Sequence, residues 1–289
     1  MQENNEIKAL LSLIDDPDEV VYETVSNKII SLGKDILPNL EHYAETAVNT
    51  DLQLKIELLI QQLHAEDSKS DFAKWSAEQP DLLAGALLIS KYIYPQIDTT
   101  LVFKEIEKLR RNVWLELNSY LTPMEQINVL NSIVYSYYKM QGLEISYSNI
   151  DGFLLSKTIE NRKGNAFGNG TLLLILAHLL DVPIYAISIP NQFILAYFDK
   201  NYEVLNPKGH ASEKIKFYID PINGQMYSHK DVENYFKKIA VPPVSAFFAP
   251  HNNKSIVVTI LQEIKKGFNS NNASHKINEI DAIVALLTQ

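Results

Sequence analysis

The sequence predicts an α+β protein, mostly helical, with helices at both ends around a small antiparallel sheet. Three observations predict it. Apolar residues recur at helical spacing through positions 1–66 and again over 71–142. β-branched and aromatic runs come after Pro183, and helical periods return at about 230. Helices bracketing one cluster of strands define the α+β class.

The N-terminal helices follow from spacing and punctuation. Ile7, Leu10, Leu11 and Ile14 fall at i, i+3, i+4 and i+7, one apolar stripe. Asp16-Pro17-Asp18-Glu19 supplies a helix start, with proline expected in the first turn and acids at the positive dipole end. Val21, Val25, Ile29 and Leu32 continue a stripe until Gly33 stops it. Ile36, Leu40, Tyr43 and Ala47 form a third helix, and Leu52, Ile56, Leu59 and Leu63 a fourth. Four short helices with tight turns read as two stacked helical hairpins over 1–66, and the stretch ALLSLIDDPDEVVYETVSNKIISLGKDILPNL also resembles a HEAT-type unit. Such repeats need about three or more units to stand alone, so this layer is expected to lean on the helices C-terminal to it.

The polar residues 66–70 read as a linker. Helices are expected over 99–120 and 123–140, the second with a core face of Ile127, Leu130, Ile133, Val134, Tyr137 and Tyr138. Next come a short helix at 153–161 and a permissive turn over 164–170, with Asn165 or Asn169 as N-cap. The almost wholly apolar helix 171–180 should be buried all round, with His178 a hydrogen-bonded core residue. Strands are expected at 184–189, 193–198 and 215–219, and helices at 230–239, 254–268 and 274–287. The expected divisions are a helical layer 1–66, a central domain 67–245 and a C-terminal helical hairpin 246–289.

Composition and motifs exclude several function classes. A chain of 289 residues without cysteine has no disulfide framework, no thiolate metal site and no cysteine nucleophile. Its formal charge of −9 repels phosphate backbones, so no nucleic-acid partner is expected. Lys104, Lys108, Arg110 and Arg111 alternate with Glu105 and Glu107, the pattern of a solvated helix face. The first residues lack the basic start of a signal peptide, and no apolar run approaches a membrane span, so a soluble, cytoplasmic chain without a membrane partner is expected. Gly164 to Gly168 is one residue short of a phosphate-binding loop, and no lysine comes after it. Histidines 42, 64, 178, 210, 229, 251 and 275 show no ligand spacing, the DDPDE segment lacks a calcium loop's alternation, and no Gly-x-Ser-x-Gly elbow occurs. No metal or other cofactor is expected.

The most informative segments are RKGNAFGNGTLLLILAHLLDVP, IPNQFILAY and YIDPINGQ, in that order, preceded by ALLISKYIYPQIDTTLVFKEIEKL. Together they resemble the transglutaminase-like superfamily, and within it the bacterial SirB-type family, over about residues 80–289. The resemblance implies a papain-like core of one buried helix against a small sheet. In active members it implies a Cys–His–Asp triad: thiol at the helix start, histidine opening the next strand, aspartate on the strand after. The nucleophile position falls at 166–168, with Gly168 taken as the degenerate residue, the histidine position on Gln192, and the aspartate on Asp220. An amide does not exchange protons near neutral pH, so two of the three parts are absent.

The expected function is therefore a catalytically inactive relative, a pseudoenzyme acting as a protein- or peptide-binding or scaffolding module. Asn169, Thr171, Asn191, Gln192 and Asp220 are its candidate cleft residues. The HEAT-like layer is the expected partner surface. The alternative is a cryptic hydrolase or amidase using Thr171, or a loop histidine, with Asp220. In that case His178, His210 or His229 would have to supply the base. A purely structural helical-repeat protein would instead scatter Gly168, Gln192 and Asp220.

Overall fold

The computed structural model describes residues 2–47, 49–202, 210–269 and 273–289. They divide into two units, Met1–Lys74 and Trp75–Gln289.

The first unit holds α1 (Gln2–Ser12), α2 (Glu19–Ser31), a 3₁₀ turn (Gly33–Ile36), α3 (Leu37–Thr46) and most of α4 (Thr50–Ala77). The stripes read from the sequence build its core, with Ile14, Ile29, Leu40 and Ile56 fully buried. Asp18 caps α2 by accepting from the Val20 N–H at 2.9 Å, so Pro17 precedes the cap instead of entering the first turn. Gly33, at φ +69°, takes the left-handed conformation that ends the run. The expected linker at 66–70 lies inside α4, because these residues are polar but include no glycine or proline to break the helix.

The second unit begins with α5 (Leu82–Ile93) and α6 (Thr99–Glu116), capped by Asp81 and Asp98. On α6 Arg110 pairs with Glu107 and Lys108 with Glu105, as the alternation of charges suggested. α7 (Pro123–Asn131) opens on a Thr122/Glu125 capping box. The helix expected to reach 140 gives way to a π-helical turn, Ser132–Tyr137, closed by a 2.8 Å bond from the Tyr138 N–H to the Ile133 carbonyl. β1 (Gln141–Gly142) and β2 (Lys163–Gly164) pair in parallel, with α8 (Leu155–Asn161) between them in sequence.

α9 (Ala166–Leu179) is the axis of this unit, touching α5, α6, α8 and the two strands after it. It is buried from Ala166 to Ala177, but His178 and Leu179 are exposed. The expected core histidine is therefore at the solvent end, where the helix emerges from its neighbours.

The main sheet has order β3-β4-β5-β6, antiparallel throughout: Ile184–Ile189, Gln192–Phe198, Ile215–Ile219 and Met226–Tyr227. Residues paired across an antiparallel ladder share a face. Phe193, Leu195 and Ile219 thus face α9, and a Cβ placed on Gly170 of that helix would meet the Phe193 ring. Ile189, Gln192, Ala196 and Tyr218 share the opposite face. There Ile187, Ile189, Ala196 and Tyr218 join Val232 and Phe236 of α11 (His229–Ile239) in a second core. A single-turn helix, α10 (Ala211–Lys214), precedes β5, and α12 (Asn253–Asn269) pairs with α13 (Ser274–Leu287) and with α5. The α+β architecture is as expected. Among the described residues no helix is long and apolar enough to cross a membrane.

Candidate functional site

The start of α9 is built by Asn165, whose Oδ1 accepts from the N–H groups of Phe167 and Gly168 at 2.9 and 3.2 Å. The expected turn over 164–170 is thus mostly helix: it begins at Ala166, with Gly168 and Gly170 inside it. These glycines serve close approach. A Cβ on Gly168 would overlap the Gly152 carbonyl oxygen and Thr158 Oγ1. On Gly170 it would lie 2.7 Å from the Phe193 ring.

The side-chain position at Gly168 therefore points at α8 and the turn before it. Phe167 stacks on Phe193 with ring centroids 4.6 Å apart, closing the space between the helix start and β4. Asn169 and Thr171 are buried on α9, each about 1% exposed. Asn169 Nδ2 donates to the Gln141 carbonyl at 3.3 Å. Among the described residues the Thr171 hydroxyl has no hydrogen-bond partner.

Gln192 and Asp220 come together on the other face of the sheet. The β3–β4 hairpin turns through Pro190 and Asn191, the latter at φ +62°, and Ile189 pairs with Gln192 beyond it. Tyr235 of α11 donates to the Pro190 carbonyl at 2.9 Å and fixes that corner. Asp220 comes directly after β5 and closes the turn 220–225: its Oδ1 accepts from the Ile222 N–H at 2.8 Å, and its N–H donates to the Gln225 carbonyl. The end of α7 and the π turn hold this turn from behind. Asn131 Nδ2 donates to the Gly224 carbonyl at 2.7 Å, and the Tyr135 hydroxyl to that of Pro221 at 2.6 Å.

Between hairpin, turn and α11 lies a cavity of about 330 Å³. Gln192, Asp220, Tyr227, Asp231, Asn234 and Tyr235 line it over an apolar floor of Ile189, Ile194 and Val232. Asp231 completes the α11 capping box, its Oδ2 accepting from the N–H and hydroxyl of Ser228 at 2.8 and 2.6 Å. Those bonds hold its carboxyl below the usual range. Burial, then the charges of Asp220 and Asp231, push the Tyr227 hydroxyl up, so both carboxylates are felt at one point of the wall. Burial, then Asp220, also raises Tyr135.

Of the sequence-predicted residues, Gln192 and Asp220 share this cavity. Gly168, Asn169 and Thr171 belong to α9, and Asn191 forms the exposed hairpin tip, outside the wall. Among the described residues no hydrogen bond joins Gln192 to Asp220. His229, one of the candidate bases, is engaged by the Ile215 carbonyl at 3.0 Å and the Tyr218 hydroxyl at 3.2 Å. His178 lies two helical turns from Thr171, about 10 Å along the axis. Among the described residues no group of three or more histidine, aspartate or glutamate side chains could hold a metal ion. Sequence reading missed Tyr227, Asp231, Asn234 and Tyr235. The signal that could have pointed toward them is Ser228-His229-Lys230-Asp231, a capping-box pattern that marks a helix start but not the cavity beside it.

The comparisons with known proteins agree with this fold. A family model described as transglutaminase-like superfamily matches residues 100–262, more than half of the chain. Protein SirB1 of Salmonella typhimurium is 25% identical over 188 residues, covering 64% of this chain and 65% of the relative. A UPF0162 protein of Vibrio cholerae is 26% identical, covering 53% of this chain and 52% of the relative. The UPF0162 protein YchA of Escherichia coli is 24% identical, covering 61% of each. Each alignment thus spans less than two-thirds of the relative's own length. No solved structure matches. With its buried α9 against an antiparallel sheet and the matched family model, the chain belongs to the transglutaminase-like superfamily, where it is similar to the bacterial SirB1 and UPF0162 proteins.

Proposed function

We propose that the chain is a non-catalytic, cytoplasmic member of the superfamily that binds a peptide or protein segment in the cavity between the β3–β4 hairpin, the Asp220 turn and α11. The observation that carries this reading is the environment of Gly168. Its side-chain direction is closed by the Gly152 carbonyl and Thr158, on the α8 side of the molecule, so no nucleophile can stand there. Gln192, which the resemblance puts at the histidine position, carries no imidazole and faces α11. What the site retains is hydrogen-bonding capacity over an apolar floor, the composition of a binding pocket. The helices of Met1–Lys74 are the proposed second contact surface.

The hydrolase alternative has little support from the geometry. Among the described residues the buried Thr171 hydroxyl has no hydrogen-bond partner, and nucleophilic catalysis needs nucleophile and base within hydrogen-bond reach. Two measurements test the proposal on the full chain. Incubation with p-nitrophenyl esters and amide-linked fluorogenic peptides should give no rate above the protein-free background. Turnover that Thr171→Ala or Asp220→Ala abolished would overturn it. Probing an array of unmodified peptides should find ligands whose binding drops about tenfold in Gln192→Ala. Loss of about 1.4 kcal/mol from hydrogen bonding in the cavity would account for that factor.

A further inference from the structure

The cavity between the hairpin, the Asp220 turn and α11 has a one-sided chemistry. Its ionisable wall consists of two carboxylates and two phenols, and no lysine, arginine or histidine side chain is among the described residues lining it. Asp220 commits Oδ1 to the Ile222 N–H, and Asp231 commits Oδ2 to Ser228. Their other oxygens make no hydrogen bond among the described residues. Neither do the side-chain amides of Gln192 and Asn234 or the hydroxyl of Tyr227. Two carboxylates with an unmatched oxygen each, and amide and hydroxyl groups that can also accept, therefore line one cavity beside the aromatic residues Tyr227 and Tyr235.

We infer that this cavity takes the guanidinium of an arginine side chain from the bound segment. The inference rests on the proposed peptide-binding function and names the residue that function leaves open. Three physical features select arginine. An approaching carboxylate would meet two like charges, whereas a cation is attracted by both. Acceptors separated along one wall call for a donor that is itself spread out, and guanidinium presents five N–H groups in a planar fork where an ammonium is a point. The plane can stack on tyrosine while its edge meets carboxylate oxygens, and its three-carbon stem suits the floor of Ile189, Ile194 and Val232. The positive end of α11 would oppose a cation, but Asp231 stands in its first turn and offsets it.

The test uses the full chain, isotope-labelled, and three probes: acetyl-Ala-Arg-Ala-amide, the same peptide with citrulline, and the same peptide with glutamate. Citrulline keeps the shape and removes the charge. The expected result is saturable NMR shifts at Gln192, Tyr227, Asp231 and Asn234 with the arginine peptide. Its Kd should be at least about tenfold below that of the citrulline peptide and should weaken with added salt. Asp220→Asn, which preserves the acceptor for the Ile222 N–H, should weaken the arginine peptide about tenfold. Gln192→Arg, on an exposed position that need not disturb folding, should abolish binding by placing its own cation at the rim. Equal affinity for the citrulline peptide, or preference for glutamate, would overturn the arginine assignment and leave the peptide cleft standing. Absence of shifts at these residues with all three probes would overturn both.

Discussion

At Gly168 the direction a side chain would take from the start of α9 is filled by the Gly152 carbonyl and Thr158. Glycine inside a helix is ordinarily about 0.5–1 kcal/mol worse than alanine, so replacement should stabilise. Here the added methyl would overlap the backbone carbonyl of Gly152, which cannot rotate away, and the sign reverses. Gly168→Ala should destabilise by about 1–3 kcal/mol, read as a lower urea midpoint at unchanged slope. Gly152→Ala is the internal control. Its new methyl would stand 3.4 Å from Asn165, an ordinary contact, and the midpoint should barely move. A Gly168→Ala variant as stable as the parent would mean that the position is open, and the case against a nucleophile there would fail with it. Sequence placed Gly168 in the right motif but in a turn, and could not give its direction. Spacing along a chain identifies neighbours in one helix, while the atoms that close Gly168 come from residues 152 and 158.

The elements themselves were more legible than the site they make. The strands 184–189 and 215–219 have the bounds read from their β-branched and aromatic runs, and the 274–287 helix likewise. Alternation even fixes the faces, because Phe193 and Gln192 must point opposite ways once the strand is granted. What periodicity could not show is the π turn, Ser132–Tyr137, which widens the helix by one residue where an uninterrupted α-helix was expected. Around it Asn131 and Tyr135, four apart, both reach the Asp220 turn. Tyr135→Phe removes one of those two bonds without leaving a cavity. It should cost about 1 kcal/mol of stability and raise amide hydrogen exchange across 220–225 more than elsewhere in the sheet. Exchange that rose uniformly, or not at all, would show that the turn is held by its own internal bonds and not by the π turn.

At the scale of the whole molecule, the repeat pattern and the packing both bear on how far the N-terminal helices depend on the rest of the chain. Read as two HEAT-like hairpins, the N-terminal helices should be unable to stand alone, since each repeat buries its face only against the next. Yet Ile14, Ile29, Ile36, Leu40, Ile56 and Leu59 already converge within Met1–Lys74, one or fewer per cent exposed. Trp75–Gln289 has its own sheet, its own central helix and cores on both faces of the sheet. Its first residue is tied internally by the Trp75 indole N–H to the Asp81 carbonyl at 2.9 Å. The fragment 75–289 should therefore fold by itself, with a cooperative thermal transition and a far-UV spectrum of mixed helix and strand. The fragment 1–74 has a core too small to promise more than marginal stability, because short chains bury a smaller share of their surface. In the full chain this asymmetry should emerge as two denaturant transitions, the first reported by Tyr22 and Tyr43 and the second by the buried Trp75. A single coincident transition for all three probes, together with a molten 75–289 fragment, would show that the two units fold only as one.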